Sequence, residues 1–256
     1  MTTTTTSGEV RVEEAAKRVR VLFGGQFVAD TTRPKLVWEW AGYPTYYLPV
    51  DAVAEGVLVP TGERDDADAA SRPWGPAELH TVRAGGREAP GAAAVFTDSP
   101  VPALRGTVRF KWAAMDGWYE EDEEVFVHPR DPYKRIDVLA SSRHVRIELD
   151  GVTVAESRRP TLLFETGLPT RYYLPRTDVR LDLLVPSDHS TACPYKGTAG
   201  YHHLQLPGGR RPNAVWSYRH PTLESAKIAG LLAFYNEHVD LYVDGELQER
   251  PRTPFS

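Results

Sequence analysis

The residue types best suited to chemistry lie close together in segment 187–201. This segment contains Asp188, His189, Cys193, Lys196 and Tyr201. A thiol attacks as its thiolate, and a neighbouring imidazole or ammonium group favours that anion. We therefore expect Cys193 to act as a nucleophile or redox centre with His189 as its base. Asp188 or Glu165 would orient the imidazole, and Lys196 would hold an anionic group.

The spacing of these residues leaves their geometry open. Pro186, Pro194 and Gly197 disfavour a helix, so we expect an irregular loop. In a loop, the gap of four residues between His189 and Cys193 does not determine how far apart the two side chains lie. A lone cysteine is most often a small buried apolar side chain, and in that case the thiol would be incidental.

A metal site is the other alternative for these residues. His189, Cys193 and one of His202 or His203 would supply the three protein ligands that a catalytic zinc needs. Cys193 is the only cysteine, which excludes a structural zinc site built on two to four cysteines. Our expectation is that the protein uses no metal and no cofactor.

The chain contains two copies of one sequence module, offset by 126 positions. Tyr46-Tyr47-Leu48-Pro49 recurs as Tyr172-Tyr173-Leu174-Pro175, and positions 19–60 share 17 identities over 42 positions with the second copy. Chance would give about 2 or 3 such identities at average residue frequencies. The two copies therefore arose by duplication and are expected to share one fold.

Comparing the copies separates scaffold residues from candidate site residues. Arg33 and Glu39 recur as Arg159 and Glu165, which favours an internal Arg–Glu ion pair in each copy. Alternatively, Arg159 binds a carboxylate or phosphate. Cys193, with its neighbouring histidine and lysine, occurs only in the second copy. The candidate ligand-binding residues are Arg159, Glu165, Tyr195, Tyr201 and Trp216.

Short strands with tight turns dominate the pattern. Gly24-Gly25, Asp150-Gly151 and Asp244-Gly245 each favour a two-residue hairpin turn. We therefore expect a mainly β fold: two tandem antiparallel sandwich-like or barrel-like modules, each with at most one short helix. The clearest helix is predicted at 222–235, with a shorter counterpart at 112–118.

These patterns define the expected domain boundaries. Residues 1–17 are predicted to be a disordered tail, because MTTTTTSGEV has little to bury. Residues 18–128 form the first module, 129–144 the linker, and 145–256 the second module. The acidic run Glu120–Glu124 lies shortly before this linker, and residues 128–133 carry a dense mix of charge and proline, as functional loops often do.

Composition excludes several classes of protein. A net charge of −5 argues against a nucleic-acid binder, which usually has a strongly basic face. No apolar run approaches the roughly 18 residues of a membrane helix, and no secretory signal is recognisable. One cysteine and no disulfide fit a reducing cytoplasm. We expect a cytoplasmic protein with a small-molecule ligand, no nucleic-acid partner and no membrane partner. The sequence does not indicate an oligomeric state.

Three longer segments resemble one known family. The segments that carry the resemblance are WYEEDEEVFVHPRDPYKRIDV, RPTLLFETGLPTRYYLP and SDHSTACPYKGTAGYH. Through them, this chain resembles the bacterial domain-of-unknown-function 427 family. The resemblance implies a compact, mainly β module that is present twice. It also brings a nucleotidyltransferase label, although the chain has no glycine-rich phosphate loop of the Walker kind.

Three functions follow from these observations. The first is an enzyme acting on a small polar metabolite, with Cys193 as nucleophile or redox centre. The second is a non-catalytic module in which the same segment binds a small polar ligand. The third is a structural or assembly role.

Overall fold

The computed structural model describes residues 10–66 and 73–253. The chain divides into two compact units, Met1–Asp131 and Pro132–Ser256, which are called here the first and second modules. Both modules are mainly β, and every strand pair within them is antiparallel, as the turn pattern predicts. None of the helices in the described ranges has the length and apolar character that a membrane crossing requires.

The first module is built from eleven strands in its described part. They are β1 (Arg11–Glu14), β2 (Val19–Phe23), β3 (Gln26–Thr31), β4 (Lys35–Trp38), β5 (Thr45–Pro49), β6 (Leu58–Asp65), β7 (Ala77–Ala84), β8 (Arg87–Phe96), β9 (Thr107–Phe110), β10 (Gly117–Glu120) and β11 (Glu123–Glu124). Short 3-10 helices occur at Val50–Ala52, Pro102–Leu104 and Trp112–Ala114.

The second module repeats this series. Its strands are β12 (Ile136–Ala140), β13 (Val145–Leu149), β14 (Val152–Ser157), β15 (Thr161–Glu165), β16 (Arg171–Leu174), β17 (Leu184–Cys193), β18 (Gly197–Leu206), β19 (Gly209–Tyr218), β20 (Leu232–Phe234), β21 (Asp240–Val243) and β22 (Glu246–Leu247). Short 3-10 helices occur at Arg176–Asp178, Leu181–Leu183 and Leu223–Ile228.

Each module pairs a large sheet with a small one. The large sheets run β1-β4-β5-β9-β8-β7-β6 and β12-β15-β16-β20-β19-β18-β17 in the described residues. The small sheets run β11-β10-β2-β3 and β22-β21-β13-β14. Strand order therefore matches strand for strand, so the duplication seen in sequence extends to topology.

Buried and partly exposed side chains alternate along the first strand of each opening hairpin, so one face of each small sheet packs against the core. In β13, Val145, Ile147 and Leu149 are buried, while the residues between them are partly exposed. An antiparallel sheet with one solvated face produces this period of two. Burying each such side chain contributes about 1.5–3 kcal/mol.

The large sheet of the second module has two different faces. Its inner face, with Leu174, Leu204 and Phe234, packs against Ile147 and Leu241 of the small sheet. The residues in between point to the outer face, where four of the nine buried side chains are aromatic. The buried members of this outer cluster are Tyr173, Tyr201, Trp216, Tyr218, Val138, Leu163, Ala199, Ile228 and Ala233. Hydroxyl and indole groups are therefore concentrated on the outer face.

The helix predicted at 222–235 is wrong in length and type. A 3-10 helix covers Leu223–Ile228 and is followed by strand β20. Gly230 separates the two elements with a φ of +71°, and its N–H donates to the Tyr218 carbonyl. By strand order, the counterpart of this helix in the first module is Pro102–Leu104, because each precedes β20 or β9. The segment 112–118 is therefore not the equivalent element.

Two strands lie where the sequence suggested a tail and a linker. Strand β1 pairs with β4, and β12 pairs with β15, so each occupies the edge of its large sheet. Residues 1–9 of the expected tail lie outside the described residues. Both edge strands are short, at four and five residues.

In the first module, the turn after β2 and the turn after β7 are in backbone contact. A Cβ atom on Gly85 would lie 1.9 Å from the Gly24 carbonyl oxygen, and one on Gly24 would lie 2.3 Å from the Ala84 carbonyl oxygen. The positions equivalent to Gly24 and Gly85 in the second module are Asp150 and Pro207, which carry side chains. The two modules therefore differ at this end of the sandwich.

Candidate functional site

The segment expected to be a reactive loop is a β-hairpin. Strand β17 runs to Cys193, which pairs with Gly197 at the start of β18, and the Lys196 N–H donates to the Cys193 carbonyl at 3.3 Å. Pro186 is tolerated because β17 is the edge strand of its sheet. The loop prediction was wrong, and the hairpin fixes the spacing that the sequence left open.

The hairpin does not bring His189 and Cys193 together. An extended strand rises about 3.3 Å per residue, so four residues separate the two by roughly 10–13 Å. The His189 ring lies 4.7 Å from the Tyr201 ring, and its backbone N–H donates to Ser187 Oγ at 3.1 Å. Asp188 is exposed and has no hydrogen bond or ion pair among the described residues. The His189 ring therefore packs beside Tyr201 and not beside Cys193.

Lys196 and Glu165 form an ion pair beside the hairpin turn. Their side chains are only 12% and 9% exposed, and the ammonium group donates to the carboxylate. The expected Arg–Glu pairs are wrong, because Arg159 binds Asp178 at 2.9 Å on the surface and Arg33 binds Asp51. Hydrogen bonds from Arg159 hold the pKa of Asp178 well below its usual range.

Cys193 is partly buried and lies near the outer aromatic cluster. It is within electrostatic range of the Tyr173 and Tyr218 hydroxyls. Burial raises the pKa of both phenols, so both are neutral hydrogen-bonding groups. Trp216 Nε1 donates to the Tyr173 hydroxyl at 3.2 Å. No hydrogen bond of the Tyr218 hydroxyl occurs within the described chain.

Tyr195 has a structural role. Its side chain is 7% exposed, and its carbonyl accepts hydrogen bonds from Thr222 and Ser225. Both donors belong to the start of the Leu223–Ile228 segment, so Tyr195 holds that segment against the hairpin. Of the five candidate ligand-binding residues, only Tyr201 lines a pocket of the second module that also contains His189.

That pocket has a volume of about 630 Å³. It lies at the end of the second module where the β13–β14 turn approaches β19. The lining residues are Leu149, Asp150, His189, Tyr201, Arg211, Pro212, Asn213, Ala214, Tyr235, His238, Val239, Asp240 and Arg250. Its size and its mixture of apolar and polar groups are typical of small-molecule sites.

A chain of hydroxyl groups crosses one wall of the pocket. Thr191 Oγ1 lies 2.9 Å from the Tyr201 hydroxyl, which lies 3.4 Å from the Tyr235 hydroxyl. Burial is the main reason why the pKa of Tyr235 is raised, and the hydrogen bond with Tyr201 raises it further. The His238 ring lies 5.8 Å from the Tyr235 ring, so an imidazole flanks each phenol. The wall therefore offers several neutral donors and acceptors.

Irregular backbone in three adjacent strands opens this pocket. The strand register shifts between Pro186 and Ser190 and again between His202 and Leu204. Asn213 adopts a φ of +48°; its N–H donates to His203 Nδ1 at 3.0 Å and its Oδ1 accepts from Ser187 Oγ at 2.7 Å. β-Bulges re-aim side chains in this way next to functional sites.

The first module has the same bulges but a different lining. Its register shifts fall between Pro60 and Arg64 and between His80 and Val82. The Glu63 N–H donates to Thr61 Oγ1 at 3.1 Å, as His189 does to Ser187. Strand register aligns the pocket residues with different residue types: His189 with Glu63, Tyr201 with Leu79, Asn213 with Gly91, and Tyr235 with Lys111. The bulges are scaffold, and the lining is specific to the second module.

A buried ion pair supports the wall from behind. Arg171 donates to both carboxylate oxygens of Glu237 at 2.6 and 2.7 Å, and the guanidinium lies 5.9 Å from the Tyr235 ring. Burial opposes ionisation of Glu237, but hydrogen bonds from Arg171 and Thr253 outweigh it and lower the pKa to about 2. Glu237 is therefore ionised at neutral pH.

The alternative zinc ligands are not assembled. Within residues 10–66 and 73–253, no group of three histidine, cysteine or acidic side chains is arranged to hold a metal ion. His203 Nδ1 accepts the hydrogen bond from Asn213, and His202 Nδ1 is buried without a partner.

Both modules match one protein family. The model of the family described as a domain of unknown function, DUF427, matches residues 11–121 and 137–245. No curated protein matches the chain.

Proposed function

We propose that this chain, which belongs to the DUF427 family, binds a small polar metabolite in its second module. The ligand lies in the pocket beside Tyr201 and Tyr235, between His189 and His238. The proposal includes a cytoplasmic location, which a lone cysteine without a disulfide supports.

The observation that carries the proposal is the difference between two equally folded modules. Both have the bulges, so folding alone does not require the residues that line the pocket. Only the second module places two imidazoles and two phenols around the opening. Buried aromatic walls with a few convergent polar groups favour small-molecule binding.

A matched pair of variants tests this proposal. The full chain is incubated with the polar metabolite fraction of a bacterial extract and examined by native mass spectrometry. We expect a retained small molecule, and we expect His189→Ala to weaken its binding by about tenfold because a polar contact is lost. Glu63→Ala, the same change at the equivalent bulge, should leave binding unchanged.

Equal loss of binding in both variants would place the ligand elsewhere. If no small molecule is retained by the unmodified chain, the binding function itself fails. That outcome would favour the structural role expected as the third alternative.

A second candidate function is catalysis at Cys193. The specific observation is that the thiol is partly buried near two neutral phenols and the Glu165–Lys196 pair. Such a setting offers proton donors to a leaving group and a cation near a bound anion. In this arrangement Cys193 would be the nucleophile once its thiol proton has passed to solvent, and Tyr218 would act as a proton donor and not as the base expected of His189, because its pKa is raised by burial.

Thiol reactivity distinguishes the two functions. The rate of reaction of Cys193 with iodoacetamide at pH 7 is compared with that of a free thiol. A rate at least about tenfold higher is expected of an activated nucleophile. A rate at or below the free-thiol value removes the basis for catalysis and leaves the binding function standing.

A further inference from the structure

Apart from its two histidines, the pocket is lined by as many carboxylates as permanently cationic side chains. Its charged lining residues are Asp150, Arg211, Asp240 and Arg250. Arg211 donates to Asp150 at 2.6 Å, and Arg250 donates to Asp240 at 2.7 Å. The cations and the carboxylates are therefore matched one to one.

Both ion pairs keep unused hydrogen-bonding capacity. Each is joined by a single hydrogen bond among the described residues, through one guanidinium nitrogen and one carboxylate oxygen. A guanidinium has five N–H donors and a carboxylate has two acceptor oxygens. All four side chains are between 40% and 51% exposed, so a ligand can reach them.

The two pairs come from different elements around the opening. Asp150 lies in the β13–β14 turn, and Arg211 lies on β19 of the large sheet. Asp240 begins β21, and Arg250 follows β22 in the C-terminal segment. A ligand in the pocket can therefore contact a guanidinium and a carboxylate together at the Arg211–Asp150 pair and again at the Arg250–Asp240 pair.

We infer that the ligand is a zwitterion with one ammonium group, one carboxylate group and an aromatic body. This inference rests on the proposed function of the same pocket. The ligand carboxylate joins a free guanidinium N–H, and the ammonium joins the neighbouring aspartate oxygen. A net anion would face two aspartates, and a net cation would face two arginines, so each would gain less.

The rest of the lining fits an aromatic body. Leu149 and Val239 are buried apolar residues that line the pocket, and the Tyr201 and Tyr235 rings form its wall. Aromatic rings prefer offset or edge-to-face contacts with other rings, which this wall can provide.

A series of ligands that differ only in charge tests the inference. The probes are L-phenylalanine, L-tyrosine, L-tryptophan and L-histidine, each with its N-acetyl and amide derivatives, titrated into the full chain by calorimetry. We expect at least one free amino acid to bind about tenfold or more tightly than its anionic N-acetyl and cationic amide forms, because charge-assisted hydrogen bonds are the stronger ones.

Variants at one ion pair locate the effect. Asp150→Asn and Arg211→Gln should each weaken binding of that amino acid by about tenfold, since each removes one charged partner. Asparagine suits position 150, because its φ is +52° and asparagine tolerates that conformation. Arg210→Gln is the control, because Arg210 is exposed on the same strand and does not line the pocket.

The outcomes separate this inference from the proposed function. The inference is overturned if an N-acetyl or amide form binds as tightly as its parent, or if no free amino acid of the series binds. In either case, a different metabolite retained in a His189-dependent way keeps the binding function. If no compound binds in a His189-dependent way, both fail.

Discussion

Tyr173 and Tyr218 carry the same hydroxyl on the same face of one sheet, but their surroundings differ. The Tyr173 hydroxyl accepts a hydrogen bond from Trp216, whereas that of Tyr218 has no partner among the described residues. Both rings are at least 95% buried. Among the described residues, only His202 Nδ1 is a fully buried side-chain polar atom without a partner, so the Tyr218 hydroxyl keeps contact with solvent and adds little to stability.

The two phenols therefore predict different effects of the same mutation. Tyr173→Phe should lower the free energy of unfolding by about 1–2 kcal/mol, because the buried indole N–H of Trp216 loses its acceptor. Tyr218→Phe should change it by less than about 0.5 kcal/mol. Urea denaturation of both variants measures the difference. A larger loss for Tyr218→Phe would show that its hydroxyl has a structural partner.

The Arg171–Glu237 pair makes a pH-dependent prediction. The pKa of Glu237 falls from 4.5 to about 2 on folding, so its stabilisation is complete above pH 4.5 and is lost as the pH falls towards 2. The linked contribution is about 3 kcal/mol. The difference in stability between the unmodified chain and Glu237→Gln, measured by denaturation, should shrink over this range. A difference independent of pH would contradict the low pKa.

At the residue scale, two of the residues singled out from the sequence line the proposed pocket. His189 and Tyr201 were expected to bind ligand or act chemically, and both line the pocket. The sequence pattern predicts Tyr235 on a helix face, and nothing in it singles out His238, Arg211 or Arg250. Residue types alone could not find them, because they come from three separate segments that meet only when the sheets are assembled.

At the scale of elements, the hairpins were the most predictable feature. Asp150-Gly151 and Asp244-Gly245 form the expected turns, with positive φ at both central residues. The helix at 222–235 failed because an apolar run with a glycine inside fits a short helix followed by a buried strand equally well. Bulges were not predictable, because an extra residue in a strand leaves little trace in the alternation pattern.

The contact between two turns of the first module makes a prediction at this scale. Gly85→Ala should destabilise the protein by more than about 2 kcal/mol, because its Cβ would overlap the Gly24 carbonyl and its φ is +55°. Gly86 also has a positive φ, of +75°, but a Cβ there meets nothing within 4 Å. Gly86→Ala should therefore cost only about 1 kcal/mol. Similar losses in a denaturation experiment would mean that the turns do not touch.

At the scale of the whole molecule, each module has its own core and can be followed separately. Trp216 is the only tryptophan after residue 131, so its indole NMR signal reports the second module alone. Arg171→Gln leaves Glu237 buried without its partner, which should cost about 3 kcal/mol. We expect the Trp216 signal of this variant to disappear at lower urea concentration, while that of Trp118 is unchanged. Joint loss of both signals would show one cooperative unit.

The duplication could be predicted from the sequence, because it rests on matched residues and not on local propensity. The functional difference between the two copies appears only when strand register aligns the two modules. Leu79 and Tyr201 cannot be matched from the offset of 126 alone, since the offset between copies changes from 126 at strands β6 and β17 to 122 at strands β7 and β18. Strand pairing supplies that alignment.

The bulges at 61–63 and 187–189 also bear on solubility. They interrupt β6 and β17, which are the outermost strands of the two large sheets. An uninterrupted edge of ten residues would offer its free N–H and C=O groups to a strand of another molecule and so promote aggregation. Pro60 and Pro186 remove one donor from each edge just before the bulge. The irregularity beside the proposed ligand pocket therefore also disfavours edge-to-edge pairing between copies of this protein.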